Sequence, residues 1–88
     1  REMFLRLADR LAEVGDEAGT DGVLKRIRAL DPDDPIPHEK GLELYQRLGM
    51  KAQAVEEVLW LVRTATRQGV LGRAEELVEM ASRLDPQS

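Results

Sequence analysis

Helix-breaking residues recur along this chain at intervals that leave room only for short helices: Gly15, Asp31-Pro32, Gly49, Gly69 and Asp85-Pro86. Glycine is costly inside a helix and favoured just past its C-terminal end. Proline pushes the residue before it out of helical geometry. Between these breaks apolar residues return every three or four positions, the period of a helix with one buried face. Phe4, Leu7, Ala8 and Leu11 form the first stripe, Val23, Leu24, Ile27 and Leu30 the second, and Leu42, Tyr45 and Leu48 the third. A fourth helix, from about Ala52 to Arg67, carries Val55, Val58, Leu59, Val62 and Ala65. A fifth carries Leu71, Ala74, Leu77, Val78, Ala81 and Leu84. No strand-like alternation interrupts the pattern. It specifies an all-α fold of about five short amphipathic helices, antiparallel because the connections are short.

The breaks also suggest where helices begin. "VGDEAGTDG" holds three glycines in nine residues and reads as a turn, with the second helix starting under a Thr20 or Asp21 cap. "DPDDPIP" reads as a stop at Asp31-Pro32 followed by a start at Asp34-Pro35. Asp34 suits an N-cap, and Pro35 suits the first turn, where its missing N–H has no partner to lose.

Composition narrows the chemistry. The 88 residues allow one domain and one modest core. The net charge is −4, with both signs mixed and no Lys/Arg block to suggest nucleic acid. One Phe, one Trp and one Tyr do not make a base-stacking platform. With no cysteine there is no disulfide, thiol nucleophile or zinc–thiolate site, although this does not fix the compartment; a cytoplasmic setting is favoured. No apolar run is long enough to span a membrane. The first residue is Arg1, so the chain is expected to be a piece of a longer protein.

Candidate catalytic and metal motifs fail on their own chemistry. "HEKGL" begins like a zinc-binding HExxH, but Leu42 occupies the place of the second histidine. His38 is therefore expected as a surface or first-turn residue. "DPDDPIPHEKGL" has Ile36 and Leu42 where a calcium loop needs Gly and Glu. "GTDGVLKR" follows a helix and lacks the lysine placement of a phosphate loop. No catalytic residue, cofactor or metal site is expected, and the chain reads as non-enzymatic.

Internal repetition gives the strongest organisational signal. Gly15 and Gly49 lie 34 residues apart, and each ends one helix and opens the next. A large residue precedes each by four positions (Leu11, Tyr45), and a small one follows by five (Thr20, Ala54). Pro32 closes the first unit. This pattern resembles the tetratricopeptide repeat, in units 1–34 and 35–68, with 69–88 as a terminal or capping helix. The chain departs from the family at His38, Leu42, Ile27, Leu61 and Thr66. "LDP" at Leu30 recurs at Leu84, an offset of 54. Gly69, Ala74, Ala81 and Pro86 restart the pattern 20 residues after Gly49, so either the fourth helix has two partners, the third and the fifth, or the third helix is a lone spacer; in both wirings the array is about two and a half repeats.

The resemblance implies a right-handed α-solenoid acting as an adaptor or scaffold, with a concave groove that takes a peptide or partner helix. On that pattern Glu39, Glu43 and Arg47 face the groove, and so do Arg63 and Arg67 if the fourth helix opens a further unit. The groove is then acidic at one end and basic at the other, which suits a charged partner. Members of the family that grip chaperone C-termini use Lys and Asn where this chain has Leu5 and Asp9, so that ligand class is not expected. Trp60 lies about 140° around the fourth helix from Val55. It either packs on the third or first helix or, beside Arg63 and Arg67, anchors a partner. The expected function is a protein-interaction module of a larger protein. Homodimerisation through the fourth and fifth helices is a second reading, and a regulatory domain joined to a catalytic or DNA-binding part outside the chain is a third.

Overall fold

Three tight turns of one design set the architecture. A computed structural model describes residues 2–86. It contains α1 (Glu2–Glu13), α2 (Glu17–Leu30), α3 (Pro35–Arg47), α4 (Lys51–Arg67) and α5 (Leu71–Leu84), and no strand among the described residues. After α1, α3 and α4 the chain passes through a glycine in the left-handed region: Gly15 at φ 77°, Gly49 at 73° and Gly69 at 77°. Each turn carries the same pair of bonds. The Asp16, Met50 and Val70 N–H groups donate to Leu11, Tyr45 and Ala65 carbonyls at 2.9, 2.8 and 2.9 Å. The Gly15, Gly49 and Gly69 N–H groups donate to Ala12, Gln46 and Thr66 at 3.0, 3.1 and 3.1 Å. This is the Schellman arrangement, which satisfies carbonyls that a helix end would otherwise leave open.

Each turn is followed, five residues after its glycine, by a small buried side chain: Thr20, Ala54 and Ala74. These sites sit where the second helix of each hairpin crosses the first, so a small residue lets the backbones approach. The α2–α3 connection differs. Asp31 leaves the helical region at φ −148°, and Asp34 caps α3 by accepting from Ile36 N at 3.0 Å, with Pro35 at the first helical position. Asp85 ends α5 with nearly the same backbone as Asp31, φ −139° and ψ 82° against −148° and 86°. The recurrence of Asp-Pro is thus a recurrence of conformation. Gln87 and Ser88, the end of that second segment, lie outside the described residues.

The helices pack in sequence. α1 and α2 form a hairpin, α3 seats on both of them, α4 folds back on α3, and α5 packs on α4. The molecule measures 34 × 29 × 15 Å. Its core runs through Ala8, Leu24, Leu44, Tyr45, Ala54, Val58 and Leu77.

Two sequence expectations change here. α2 begins at Glu17, four residues earlier than a Thr20 cap requires and five earlier than an Asp21 cap requires. Asp16 is the cap, accepting from Gly19 N at 2.9 Å, and Thr20 is an interior residue whose hydroxyl donates to the Asp16 carbonyl at 2.7 Å. Gly19 therefore belongs to the helix for a local reason: a Cβ there would collide with the Asp16 carboxylate. Second, Leu7, Leu30, Leu59, Leu71 and Val78 belong to the apolar stripes but are exposed. A flat array has no second layer to cover those positions.

Two substitutions test this account. Gly22 sits inside α2 with open space at its Cβ position, so Gly22→Ala should stabilise by about 0.5–1 kcal/mol in urea unfolding. Were the helix to begin after Asp21, that gain would be absent. Ala54→Leu should overpack the α3–α4 crossing and destabilise by about 1–3 kcal/mol.

Candidate functional site

The most organised chemistry in the molecule is a chain of polar side chains joining α2, α3 and α4. Its centre is Glu57, a carboxylate that α4 carries on its buried face between Ala54, Val58 and Leu61. Arg28 from α2 donates to Glu57 Oε1 at 2.6 Å. His38 from α3 meets Oε2 through Nδ1, also at 2.6 Å. Arg28 Nη1 also reaches the Tyr45 hydroxyl at 3.4 Å, and that hydroxyl donates to Asp21 Oδ1 at 2.6 Å. At the other end His38 stacks on Trp60, ring centres 3.6 Å apart and planes 9° from parallel.

Gly41 makes the closeness possible. A Cβ there would lie 3.3 Å from Glu57 Cδ and 3.3 Å from Tyr45 Cε2. The lack of a side chain lets α4 bring its carboxylate onto α3.

Burial sets the protonation. It pushes Glu57 up to about 7, against the opposing pull of Arg28. Burial also pushes His38 down to about 4, and the Arg28 charge adds to that. The Tyr45 hydroxyl is held up at about 12 by burial and by the Asp21 carboxylate it serves. Around neutral pH the His38–Glu57 contact therefore holds a single proton, and the imidazole is uncharged. Both Glu57 oxygens are engaged, so the arrangement acts as a lock between helices.

The expected surface position of His38 is corrected by this geometry. It is in the first turn of α3, as its sequence position indicates, but it is buried. The reason is that Glu57 and Trp60 close over it from α4. Glu57 belongs to no motif of the sequence. The available signal was a carboxylate in phase with Ala54, Val58 and Leu61.

The proposed partner-binding residues fall into separate groups. Trp60, Arg63 and Arg67 line one groove of about 510 Å³ along α4, together with Val62 and Thr66. Arg63 and Arg67 are exposed and Trp60 is half-buried. Its ring packs on the third helix through His38, so the packing and anchor readings are compatible. Glu43 and Arg47 pair with one another on α3 at 3.2 Å, and Lys40 bridges Glu43 at 3.4 Å to Asp9 of α1 at 2.9 Å. Glu39 is exposed and lines a smaller cavity, of about 140 Å³, shared by α3, α4 and α5. The structure thus joins Trp60, Arg63 and Arg67 in one groove, which Glu39, Glu43 and Arg47 do not line. No group of His, Asp and Glu placed to hold a metal ion occurs among the described residues. Comparison with protein-family models, curated proteins and solved structures finds no match to this chain.

The lock makes a pH-dependent prediction. Glu57 binds its proton more tightly folded than unfolded, so by itself it makes stability rise as pH falls from about 7 toward its ordinary 4.5. His38 binds its proton less tightly folded, so by itself it makes stability fall as pH drops from 6.5 through about 4. In the intact chain the two nearly cancel between those limits. His38→Gln should therefore unmask a rise in urea midpoint on acidification, and Glu57→Gln a fall. Glu57→Ala, which strands Arg28, should cost about 3–5 kcal/mol near neutral pH.

Proposed function

We propose that this chain is a non-enzymatic protein–protein interaction module of a larger protein. In this reading it is built from tetratricopeptide-like helix–turn–helix units in a right-handed solenoid, and it binds a charged peptide or partner helix. The carrying observation is the α4 groove, where Trp60 is already fixed by its stack on His38 and stands beside Arg63 and Arg67. An aromatic side chain immobilised before binding loses little freedom when a ligand arrives. Two neighbouring guanidiniums favour carboxylates on that ligand, and such aromatic–arginine pairs are the usual anchors of protein interfaces. The three repeated hairpin turns support the repeat reading, since they reproduce one backbone design at Gly15, Gly49 and Gly69. Glu39, Glu43 and Arg47 would form a second, weaker contact region, because Glu43 and Arg47 already satisfy each other.

Trp60 is the sole tryptophan, so its fluorescence reports on this groove directly. The test uses a panel of helix-forming peptides in an acidic series, each matched by a version with lysine in place of glutamate. Acidic members should change the Trp60 emission and bind, and their lysine partners should not. Arg63→Glu with Arg67→Glu should weaken the acidic binders by roughly tenfold or more with the helical spectrum unchanged. Equal binding of both series, or no loss in the double variant, would discard the groove as the contact.

A further inference from the structure

The buried lock and the Trp60 groove meet at one pair of stacked rings. Glu57 Oε2 meets His38 Nδ1 at 2.6 Å, and the His38 ring centre lies 3.6 Å from that of Trp60, which lines the groove with Arg63 and Arg67. A neutral imidazole accepts at one ring nitrogen and donates at the other, and the two roles can exchange. The lock can therefore keep its contacts in two protonation states. In the first, Glu57 is a carboxylic acid whose O–H donates to Nδ1, and the ring proton sits on Nε2. In the second, Nδ1–H donates to a carboxylate and Nε2 is bare. Passing from the first to the second, the proton between Oε2 and Nδ1 moves onto nitrogen and the Nε2 proton leaves to water. Arg28 donates to Oε1 in both. The two states differ by one unit of charge.

The surroundings of that proton come from every helix packed on the pair. α2 faces Glu57 with Arg28 and Asp21, and Lys25 lines the same cavity while paired to Asp21 at 3.0 Å. α3 supplies His38 itself and Tyr45, whose hydroxyl is spent on Asp21. α4 adds Glu56 next in the chain. α1 reaches α3 through Asp9, which Lys40 engages at 2.9 Å. Burial holds the Glu57 proton up to about 7, with Arg28 opposing and Glu56 and Asp21 assisting. Burial and Arg28 hold His38 down to about 4, so a doubly protonated pair belongs to a more acidic range.

We infer that proton uptake at the His38–Glu57 pair is coupled to ligand binding in the Trp60 groove, so that an acidic peptide is held more tightly when the lock carries its extra proton. This inference rests on reading the groove as a site for an acidic ligand. The sign follows from charge. With the proton, Arg28 stands beside a neutral acid and the lock is one unit positive. Without it, the charges of Arg28 and Glu57 cancel. The groove that offers Arg63 and Arg67 to carboxylates thus loses one unit of nearby positive charge as pH rises. One charge acting through a partly buried path, and screened by salt, changes affinity by about twofold to fivefold. By reciprocity the bound peptide strengthens the hold on the proton by the same factor. Because both oxygens of Glu57 stay engaged in either state, the coupling works through charge and leaves the packing as it is.

The experiment titrates the 88-residue chain with a glutamate-rich, helix-forming peptide that has blocked ends and no histidine, with Trp60 emission as the readout. It is run at about pH 6 and about pH 8.5, a range in which ordinary glutamate and arginine side chains keep their charge. Affinity should fall by about twofold to fivefold from the lower pH to the higher. Binding near pH 7 should also take up protons, seen calorimetrically as a heat that varies with the ionisation enthalpy of the buffer. Glu57→Gln keeps a neutral group in place, with an amide N–H where the acid has its O–H. With its helical spectrum retained, it should bind at both pH values as the intact chain does at the lower one. It keeps every other titratable group, so a slope that survives in it belongs elsewhere. In the intact chain without peptide, the His38 ring carbons should shift from the Nε2-protonated to the Nδ1-protonated tautomer over the same range, a check that needs no variant. Affinity that is flat with pH, a slope unchanged in Glu57→Gln, or a His38 that keeps one tautomer would overturn the coupling and leave the groove standing. No binding at either pH would discard the acidic-ligand reading and the coupling with it.

Discussion

Two contacts of 2.6 Å on one carboxylate hold the centre of this molecule together. Glu57 sits on the buried stripe of α4, and without Arg28 and His38 it would be an uncompensated buried acid. The consequence runs through three helices at once. α2 must present Arg28, α3 must present His38 in its first turn, and Gly41 must stay bare for α4 to come close. A purely apolar interface would tolerate small slips between neighbouring helices, whereas this one has a fixed register. Trp60 inherits its orientation from the same source, because the imidazole it stacks on is pinned by Glu57.

Around that lock the chain is assembled from one repeated device. The left-handed glycine, its two backbone bonds and the small residue five positions later are local, so they form wherever the sequence supplies them. Supplying them at 15, 49 and 69 makes α4 a member of two hairpins. A regular repeat would give each helix one hairpin partner. Here α4 has α3 on one side and α5 on the other, and it also carries the groove around Trp60.

Helix number, turn positions and the Asp34 cap were legible in the sequence because each rests on local chemistry: a glycine that must adopt positive φ, a proline that cannot continue a helix, a short carboxylate at a helix start. Gly19 and Gly22 misled because glycine density resembles a loop, whereas Gly19 serves the Asp16 cap and Gly22 meets no neighbour. The buried lock was not legible. Arg28, His38 and Glu57 are separated by 10 and 19 residues, and no local rule says that they meet. The set on α4 was legible as a group because Trp60, Arg63 and Arg67 share one helical face. Its separation from Glu43 and Arg47 depends on how α3 and α4 cross, which periodicity does not contain.

The solitary attachment of α5 has a dynamic consequence. α2, α3 and α4 meet in the lock and α1 packs on α2 and α3, whereas the backbone of α5 runs close to α4 alone among the described residues. Local opening is cheapest where few packed neighbours must be given up. Amide exchange should thus grade along the array, slowest in α3 and α4 and fastest in α5, with α5 undocking from α4 while the Glu57 centre stays closed. Any contact that bridged α4 and α5 would remove that freedom and would be felt as slowed breathing rather than as a change of shape.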